Sequence, residues 1–142
     1  MTTKTDFPVI YTEVDRMGIV HHSNYLLWFE KSRRDYLKKA GISNSKIACQ
    51  GFFLPLSEIE CKFKRPAKYG DEILVITKIL SMSCVKTVFE YEVLDKVKGK
   101  LLATGKTVHV WTNRRVEPVN IEKEAPDVYW RLKRFFESED TT

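Results

Sequence analysis

Four segments with the composition of β-strands follow one another in the second half of the chain, and only short turns separate them. They cover Phe52–Lys64, Glu72–Met82, Lys86–Asp95 and Leu101–Thr112. Strands joined by short turns pair antiparallel, because a parallel pair needs a crossover of a dozen or more residues. No repeating strand–helix–strand pattern is present, so the sequence predicts an antiparallel sheet and disfavours a doubly wound parallel one.

One long helix is predicted ahead of these strands. Apolar residues recur at helical spacing from Tyr25 to Ala40, with charged residues between them. Ser23 or Asn24 can cap its start through a side-chain oxygen, and Gly41 is a typical stop signal.

Two further elements complete the predicted order. Phe7–Glu13 has the β-branched and aromatic residues of a strand, and Pro126–Glu137 has the spacing of a short amphipathic helix. Residues 43–50 form a connector that can hold one helical turn. The sequence thus predicts a single α+β domain over residues 1–142, with an antiparallel sheet, one main helix and a short C-terminal helix.

Size and composition limit where a ligand can bind. The chain has 142 residues, of which 43% are hydrophobic and 30% are charged, as in a folded globular domain. A domain this small leaves little room for both a core and a deep private pocket. A ligand site between subunits is therefore expected.

Cysteine usage and charge indicate the compartment and the partners. The three cysteines, Cys49, Cys61 and Cys84, form no Cys-x-x-Cys pair, which favours a reduced cytoplasmic location. We see no signal peptide and no apolar run of about 20 residues, so no membrane span is expected. The net charge of +5 favours anionic partners. The basic residues are scattered and form no nucleic-acid-binding motif, so a phosphate-bearing small molecule is the better candidate for the anionic partner.

Reactive side chains are concentrated between the first strand and the long helix. Within fifteen residues the chain holds Tyr11, Glu13, Asp15, His21 and His22. The helix that follows offers unpaired N–H groups and the positive end of its dipole. Such a helix start can polarise a carbonyl group and stabilise an oxyanion.

Each of these residues also has a simpler interpretation. Asp15 alone would be an ordinary turn residue, and His22 alone a surface histidine. The histidines and nearby acids do not have the spacing of a closed zinc site, so no metal is expected. Tyr25 can belong to the core or to a pocket wall, and Glu30 can face solvent or reach the site of a partner subunit.

The same segment resembles the 4-hydroxybenzoyl-CoA thioesterase-like family of hotdog proteins. The matching positions are Tyr11, Glu13, Asp15, Gly18, Val20, His22 and Tyr25, followed by Phe29, Glu30 and Arg33. Residues 61–72 also resemble a hairpin of that family. The resemblance implies a hotdog fold, in which an antiparallel sheet wraps around a central helix, and acyl-CoA thioesterase activity. It further implies a homo-oligomer, a dimer or a tetramer, with sites between subunits, and no cofactor beyond the coenzyme A of the substrate.

The resemblance also implies roles for individual residues. Asp15 would attack the thioester carbonyl or activate water, the His22 N–H would face the thioester oxygen, and Tyr11 would lie near the carboxylate. The positions implied for substrate binding are Gly18, Val20, Tyr25 and Lys86, of which Lys86 would hold a CoA phosphate. Two departures, Glu13 for the usual aspartate and His21 for the usual aromatic residue, leave the acyl preference open.

The chemistry of thioester hydrolysis agrees with this interpretation. It needs one base or nucleophile and one carbonyl-polarising donor, and the chain has no Gly-x-Ser-x-Gly elbow. A non-catalytic module that binds acyl-CoA or an acyl-carrier protein is the alternative. A hotdog dehydratase is disfavoured, since its Phe-Pro-Gly run is absent. The cations Lys62, Lys64, Arg65 and Lys68 are either a solvated strand end or a phosphate clamp for the CoA nucleotide.

Overall fold

The computed structural model describes residues 1–139 and contains one five-stranded sheet and four helices. The strands are β1 (Thr2–Pro8), β2 (Leu56–Phe63), β3 (Glu72–Met82), β4 (Lys86–Asp95) and β5 (Leu101–Val110). The helices are α1 (Ser23–Lys39), α2 (Asn44–Cys49), α3 (Ile121–Glu124) and α4 (Pro126–Glu137), and Tyr11–Glu13 forms one 3₁₀ turn. The last three residues of the predicted domain, 140–142, lie outside the described residues.

All neighbouring strands of the sheet are antiparallel, in the order β1-β3-β4-β5-β2. The register pairs Phe63 with Ala103 and Ala103 with Val93 at one end of the sheet, which we call the loop end. It pairs Lys86 with Val110 at the other end, which we call the far end. β2 is an edge strand whose side chains are nearly all exposed.

The long helix α1 packs across the sheet through one face. Its buried residues recur every three or four positions: Tyr25, Trp28, Phe29, Ser32, Tyr36 and Leu37. Phe29 stacks on Tyr91 of β4 with ring centroids 4.5 Å apart. Gly105 of β5 allows this approach, since a Cβ there would lie 2.3 Å from Phe29 Cζ. The predicted α+β arrangement, an antiparallel sheet around one long helix with a short C-terminal helix, is confirmed.

Several element bounds differ from the predictions. The first strand lies at Thr2–Pro8 and not at Phe7–Glu13, because residues after Pro8 leave the sheet for the 3₁₀ turn. β2 begins four residues after Phe52, at Leu56. The sequence indicated one helical turn where α2 forms, and it did not indicate α3. Neither Ser23 nor Asn24 caps α1, because the helix already begins at Ser23.

Candidate active site

The segment between β1 and α1 folds into a tight hairpin at the loop end of the sheet. Val14 and Val20 pair as an antiparallel bridge, and the Asp15 N–H donates to the Ile19 carbonyl at 2.9 Å. Gly18 lies between them with φ of 75°, in the left-handed region that favours glycine. The hairpin therefore brings residues 13–15 alongside residues 19–21, directly before α1.

The Asp15 carboxylate organises this turn with one of its two oxygens. Asp15 Oδ1 accepts from the backbone N–H of Met17 at 2.8 Å and from that of Ile19 at 3.3 Å. No hydrogen bond to the other oxygen, Oδ2, occurs within residues 1–139, and the side chain is exposed. One oxygen thus fixes the orientation of the carboxylate and leaves the other available to a ligand.

Glu13 fastens the hairpin to α1. Its carboxylate accepts from the Ile10 N–H at 2.9 Å and from Trp28 Nε1 at 2.7 Å. Its backbone carbonyl accepts from the His21 N–H at 2.9 Å and from Asn24 Nδ2 at 3.0 Å. These contacts link the chain before the hairpin to the first turns of the helix, so Glu13 positions the loop.

Two adjacent histidines directly precede the helix. His21 Nδ1 lies 3.3 Å from the Ser23 N–H and 2.8 Å from Ser23 Oγ, so the His21 side chain takes the capping role. The rings of His21 and His22 lie 4.1 Å apart. The His22 backbone N–H donates to no acceptor in the described part of the chain. It is an unpaired donor at the positive end of a 17-residue helix.

A cavity of about 320 Å³ opens beside this helix start. Its lining residues come from the hairpin, from α1 and from the end of β2: Ile19, Val20, His22, Tyr25, Phe63, Lys64, Arg65 and Pro66. Tyr25 is only 3% exposed and packs against Trp28 and Phe63. Burial raises the pKa of Tyr25 to about 12, so its hydroxyl stays protonated and acts as a pocket wall and not as a base.

The structure brings most of the predicted site residues together. Asp15, Gly18, Val20 and His22 share the hairpin and the helix start, while the Tyr11 ring lies at the edge of the same loop. Tyr11 is 75% exposed and contacts Tyr69, whose N–H donates to the Gly18 carbonyl. No hydrogen bond joins the Tyr11 hydroxyl to Asp15 within residues 1–139.

Lys86 is the exception. It pairs with Val110 at the far end of the sheet, whereas the cavity beside the helix start lies near Phe63, at the loop end. Seven residues of extended strand separate Lys86 from Val93, which is about 23 Å. Within one subunit, Lys86 therefore does not belong to the Asp15 site.

A second, larger cavity of about 730 Å³ lies at the far end, between α1, α2 and the segment before β2. Its walls are mainly apolar and include Leu37, Ile47, Phe53 and Leu54, with the cation Arg33 among them. The sequence pattern did not indicate this cavity, because its walls come from segments that are distant in the chain.

A buried polar chain supports the wall of this second cavity. His109 Nδ1 donates to the Leu54 carbonyl at 3.1 Å, and Nε2 accepts from Thr107 Oγ1 at 3.0 Å. Thr107 Oγ1 in turn accepts from the Tyr91 hydroxyl at 2.7 Å. Burial and the nearby Arg33 charge lower the pKa of His109 to about 4, in keeping with this neutral tautomer.

Two negative observations apply to residues 1–139. No helix there has both the length and the apolar character that a bilayer crossing requires. No group of three or more His, Cys, Asp or Glu side chains in that range is arranged to hold a metal ion.

Comparison with known structures supports the fold assignment. A DHNA-CoA thioesterase from Staphylococcus aureus matches with a TM-score of 0.89 and 28% identity, covering 94% of this chain and 89% of that one. A hypothetical protein from Thermus thermophilus matches with a TM-score of 0.86 and 32% identity, covering 98% of this chain and 100% of that one. The predicted hotdog fold is thereby confirmed.

Sequence comparison agrees with the structural one. A putative acyl-CoA thioesterase of Bacillus subtilis, YneP, is 32% identical over 126 residues, which is 88% of this chain and 91% of that protein. The model of the Thioesterase-like superfamily matches residues 9–128, a range that includes the hairpin, α1 and all strands except β1. The predicted family resemblance and the predicted enzyme class, a thioester hydrolase, are confirmed. This chain belongs to the Thioesterase-like superfamily.

Proposed function

We propose that the protein hydrolyses an acyl-CoA thioester to a free acid and CoA at the corner formed by Asp15 and the start of α1. The observation that carries the proposal is the pairing of a fixed carboxylate with an unpaired donor. Asp15 is oriented through Oδ1, and the His22 N–H lacks an acceptor within the described residues. A thioester needs both a base or nucleophile and a carbonyl-polarising donor.

The chemistry follows from these two groups. The His22 N–H, assisted by the dipole of α1, would donate to the thioester oxygen as negative charge develops on it. Asp15 would either attack the carbonyl carbon to form an anhydride or take a proton from an attacking water. In both routes the C–S bond breaks, CoA leaves as the thiolate and takes up a proton, and water supplies the new oxygen of the acid.

The edge strand β2 supports a homo-oligomer. Leu56, Ile59 and Phe63 are large apolar residues exposed on this strand, and its outer hydrogen-bonding edge has no partner strand among the described residues. Exposed edges of this kind pair readily with another chain. We therefore propose that two subunits pair through β2, antiparallel and about a twofold axis.

This pairing would complete the site. Antiparallel β2 strands place Phe63 of one subunit near the far end of the other. The far-end cavity of about 730 Å³ would then adjoin the Asp15 corner across the interface. Its apolar walls suit an acyl group, while the reacting carbonyl stays beside the hairpin.

The Asp15→Asn variant tests the proposed chemistry. The amide oxygen of asparagine can still accept from Met17 and Ile19, so the turn should persist. The carboxylate is lost, and we expect thiol release from acyl-CoA to fall by at least about a hundredfold. Thiol release is measured with a thiol reagent over a panel of acyl-CoAs of different length and type. Circular dichroism and thermal unfolding check the fold.

Asp127→Asn is the matched control, because Asp127 is an exposed carboxylate on α4, away from the hairpin, that accepts a hydrogen bond from Gln50. It should leave turnover unchanged. Wild-type turnover in Asp15→Asn would remove Asp15 from its assigned role. Binding of acyl-CoA by the wild-type protein without any thiol release would instead indicate a non-catalytic module.

A further inference from the structure

Arg33 lies in the wall of the far-end cavity, and the proposed chemistry does not use it. The cavity has a volume of about 730 Å³, and most of its walls are apolar side chains such as Leu37, Ile47 and Phe53. Among the described residues that line it, Arg33 is the one charged side chain. Arg33 is half-buried on α1, so its charge is partly withdrawn from water.

The positive charge of Arg33 has no carboxylate within 4.0 Å among residues 1–139. The next residue of α1, Arg34, pairs with Glu30, which lies four positions before it. The corresponding positions around Arg33 are Phe29 and Leu37, and both are buried apolar residues. The helix therefore supplies an ion pair to its exposed arginine and none to the arginine that faces the cavity.

The buried polar groups beside Arg33 are neutral. Burial raises the pKa of the Tyr91 hydroxyl, which stays protonated although the Arg33 charge and a hydrogen bond from Arg33 oppose the rise. From Tyr91 the hydrogen bonds run through Thr107 and His109 to the Leu54 carbonyl. A chain of neutral groups can orient the Arg33 side chain, but it leaves the positive charge uncompensated.

An anion bound in the cavity would supply the missing counter-charge. The guanidinium group carries five N–H donors in a planar fork, which matches the geometry of a carboxylate. Cavities of about 300–1,000 Å³ with apolar walls and a few polar groups are typical sites for small molecules. We propose that the far-end cavity binds an apolar molecule that bears a carboxylate, with Arg33 as the counter-charge.

Two sources can supply a ligand of this chemistry. One is a free acid with an apolar body, and its binding does not depend on the proposed function. The other is an acyl group with a second carboxylate at the end distal to the thioester. Such a group would reach Arg33 across the β2 interface while its thioester lies at the neighbouring subunit's helix start, so this source rests on the proposed function.

The binding test uses octanoate and 1-octanol, which share an alkyl chain and differ in charge. Calorimetry should show that the wild type binds octanoate at least about tenfold more tightly than 1-octanol. Arg33→Met removes the charge and keeps most of the apolar length of the side chain. Octanoate binding should weaken at least about tenfold in this variant, while the affinity for 1-octanol should not fall. Arg33→Lys keeps the charge without the planar fork, so its affinity for octanoate should be intermediate.

Two other variants serve as control and as locator. Arg134→Met removes an arginine from an exposed position of α4 and should leave both affinities unchanged. Ala48→Phe places a ring in the cavity and keeps Arg33, so it should weaken the binding of both ligands. This variant locates the site even if Arg33→Met fails to fold, which circular dichroism checks.

Several results would overturn the inference. They are equal affinity of the wild type for octanoate and 1-octanol, unchanged octanoate binding in Arg33→Met, and unchanged octanoate binding in Ala48→Phe. Absence of octanoate binding to the wild type would also overturn it, and is the result expected if a partner subunit fills the cavity.

Thiol release from suberyl-CoA and octanoyl-CoA distinguishes the two sources, because these thioesters have the same chain length and only the first has a distal carboxylate. If the acyl group is the source, the wild type should cleave suberyl-CoA with a kcat/KM at least about tenfold higher, and Arg33→Met should lose this preference. If a free acid is the source, octanoate binds and both thioesters are cleaved with similar kcat/KM. A wild-type protein that cleaves neither refutes the proposed function, while calorimetry still reports on the Arg33 site.

Discussion

Mild acid should destabilise this protein through one buried histidine. His109 is 0% exposed, donates to the Leu54 carbonyl and accepts from Thr107. Burial and the Arg33 charge lower the pKa of its imidazole from 6.5 to about 4. The unfolded chain therefore binds a proton at this residue below pH 6.5, whereas the folded chain does so only near pH 4. Stability must fall as the pH drops through this window.

The size of the effect follows from the two pKa values. Each tenfold difference in proton affinity is worth about 1.36 kcal/mol, so the contribution is near zero at pH 7 and reaches about 2 kcal/mol at pH 5. At pH 4 and below it approaches about 3 kcal/mol.

The test compares how the free energy of unfolding changes with pH in two proteins. Urea unfolding at pH 7 and at pH 5 gives the free energy of unfolding for the wild type and for His109→Asn, whose amide can still donate to Leu54. A fixed protein concentration is needed, because subunit association contributes to apparent stability. The wild type should lose about 2 kcal/mol more than the variant between the two pH values. Equal losses would refute the assignment of a neutral, buried His109.

Three further substitutions test other parts of the structure. Gly105→Ala should lower the free energy of unfolding by about 2 kcal/mol, because the new Cβ would overlap the Phe29 ring; an unchanged thermal midpoint would contradict this. Glu13→Gln should cost about 1–2 kcal/mol of unfolding free energy and reduce kcat, because the amide offers one acceptor for the two N–H groups of Ile10 and Trp28; wild-type kcat would show that the anchor does not position the loop. Ile59→Lys should shift the sedimentation coefficient to that of a monomer and reduce thiol release together with it, and a stable active oligomer would argue against pairing through β2.

The strands β3, β4 and β5 were predictable because each follows a local rule. Their side chains alternate between buried and exposed, and the turns between them are short. The predicted position of the first strand was wrong because β1 does not follow this local rule. β1 is mostly polar, buries only Thr3 and Phe7, and belongs to the sheet through its pairing with β3. Pairing over some seventy residues is not visible in local composition.

The residues of the candidate site also fall into two groups, one that could be predicted from the sequence and one that could not. The hairpin that carries Asp15, Gly18 and His22 is continuous in sequence, so its residues could be identified together. A cleft at the loop end of the sheet is lined by both Lys68 and Lys98, which are thirty residues apart in the chain and meet only because of the strand register. The buried chain from Tyr91 to His109 likewise depends on which β5 residues face α1. Neither the cleft nor the buried hydrogen-bond chain could be predicted from a single segment of the sequence.

Asp15 shows why the simple and the functional interpretation of one residue need not compete. As a turn residue it accepts two backbone N–H groups through Oδ1, and this role alone explains an aspartate before Gly18. The same two bonds hold the carboxylate in one orientation and leave Oδ2 exposed, so little side-chain freedom would be lost when a substrate binds in the proposed mechanism. Turn formation would therefore orient the group for the proposed chemistry. It also explains why asparagine at this position should fold normally and yet fail as a catalyst, since the substitution removes the carboxylate charge but keeps the oxygen that forms the turn.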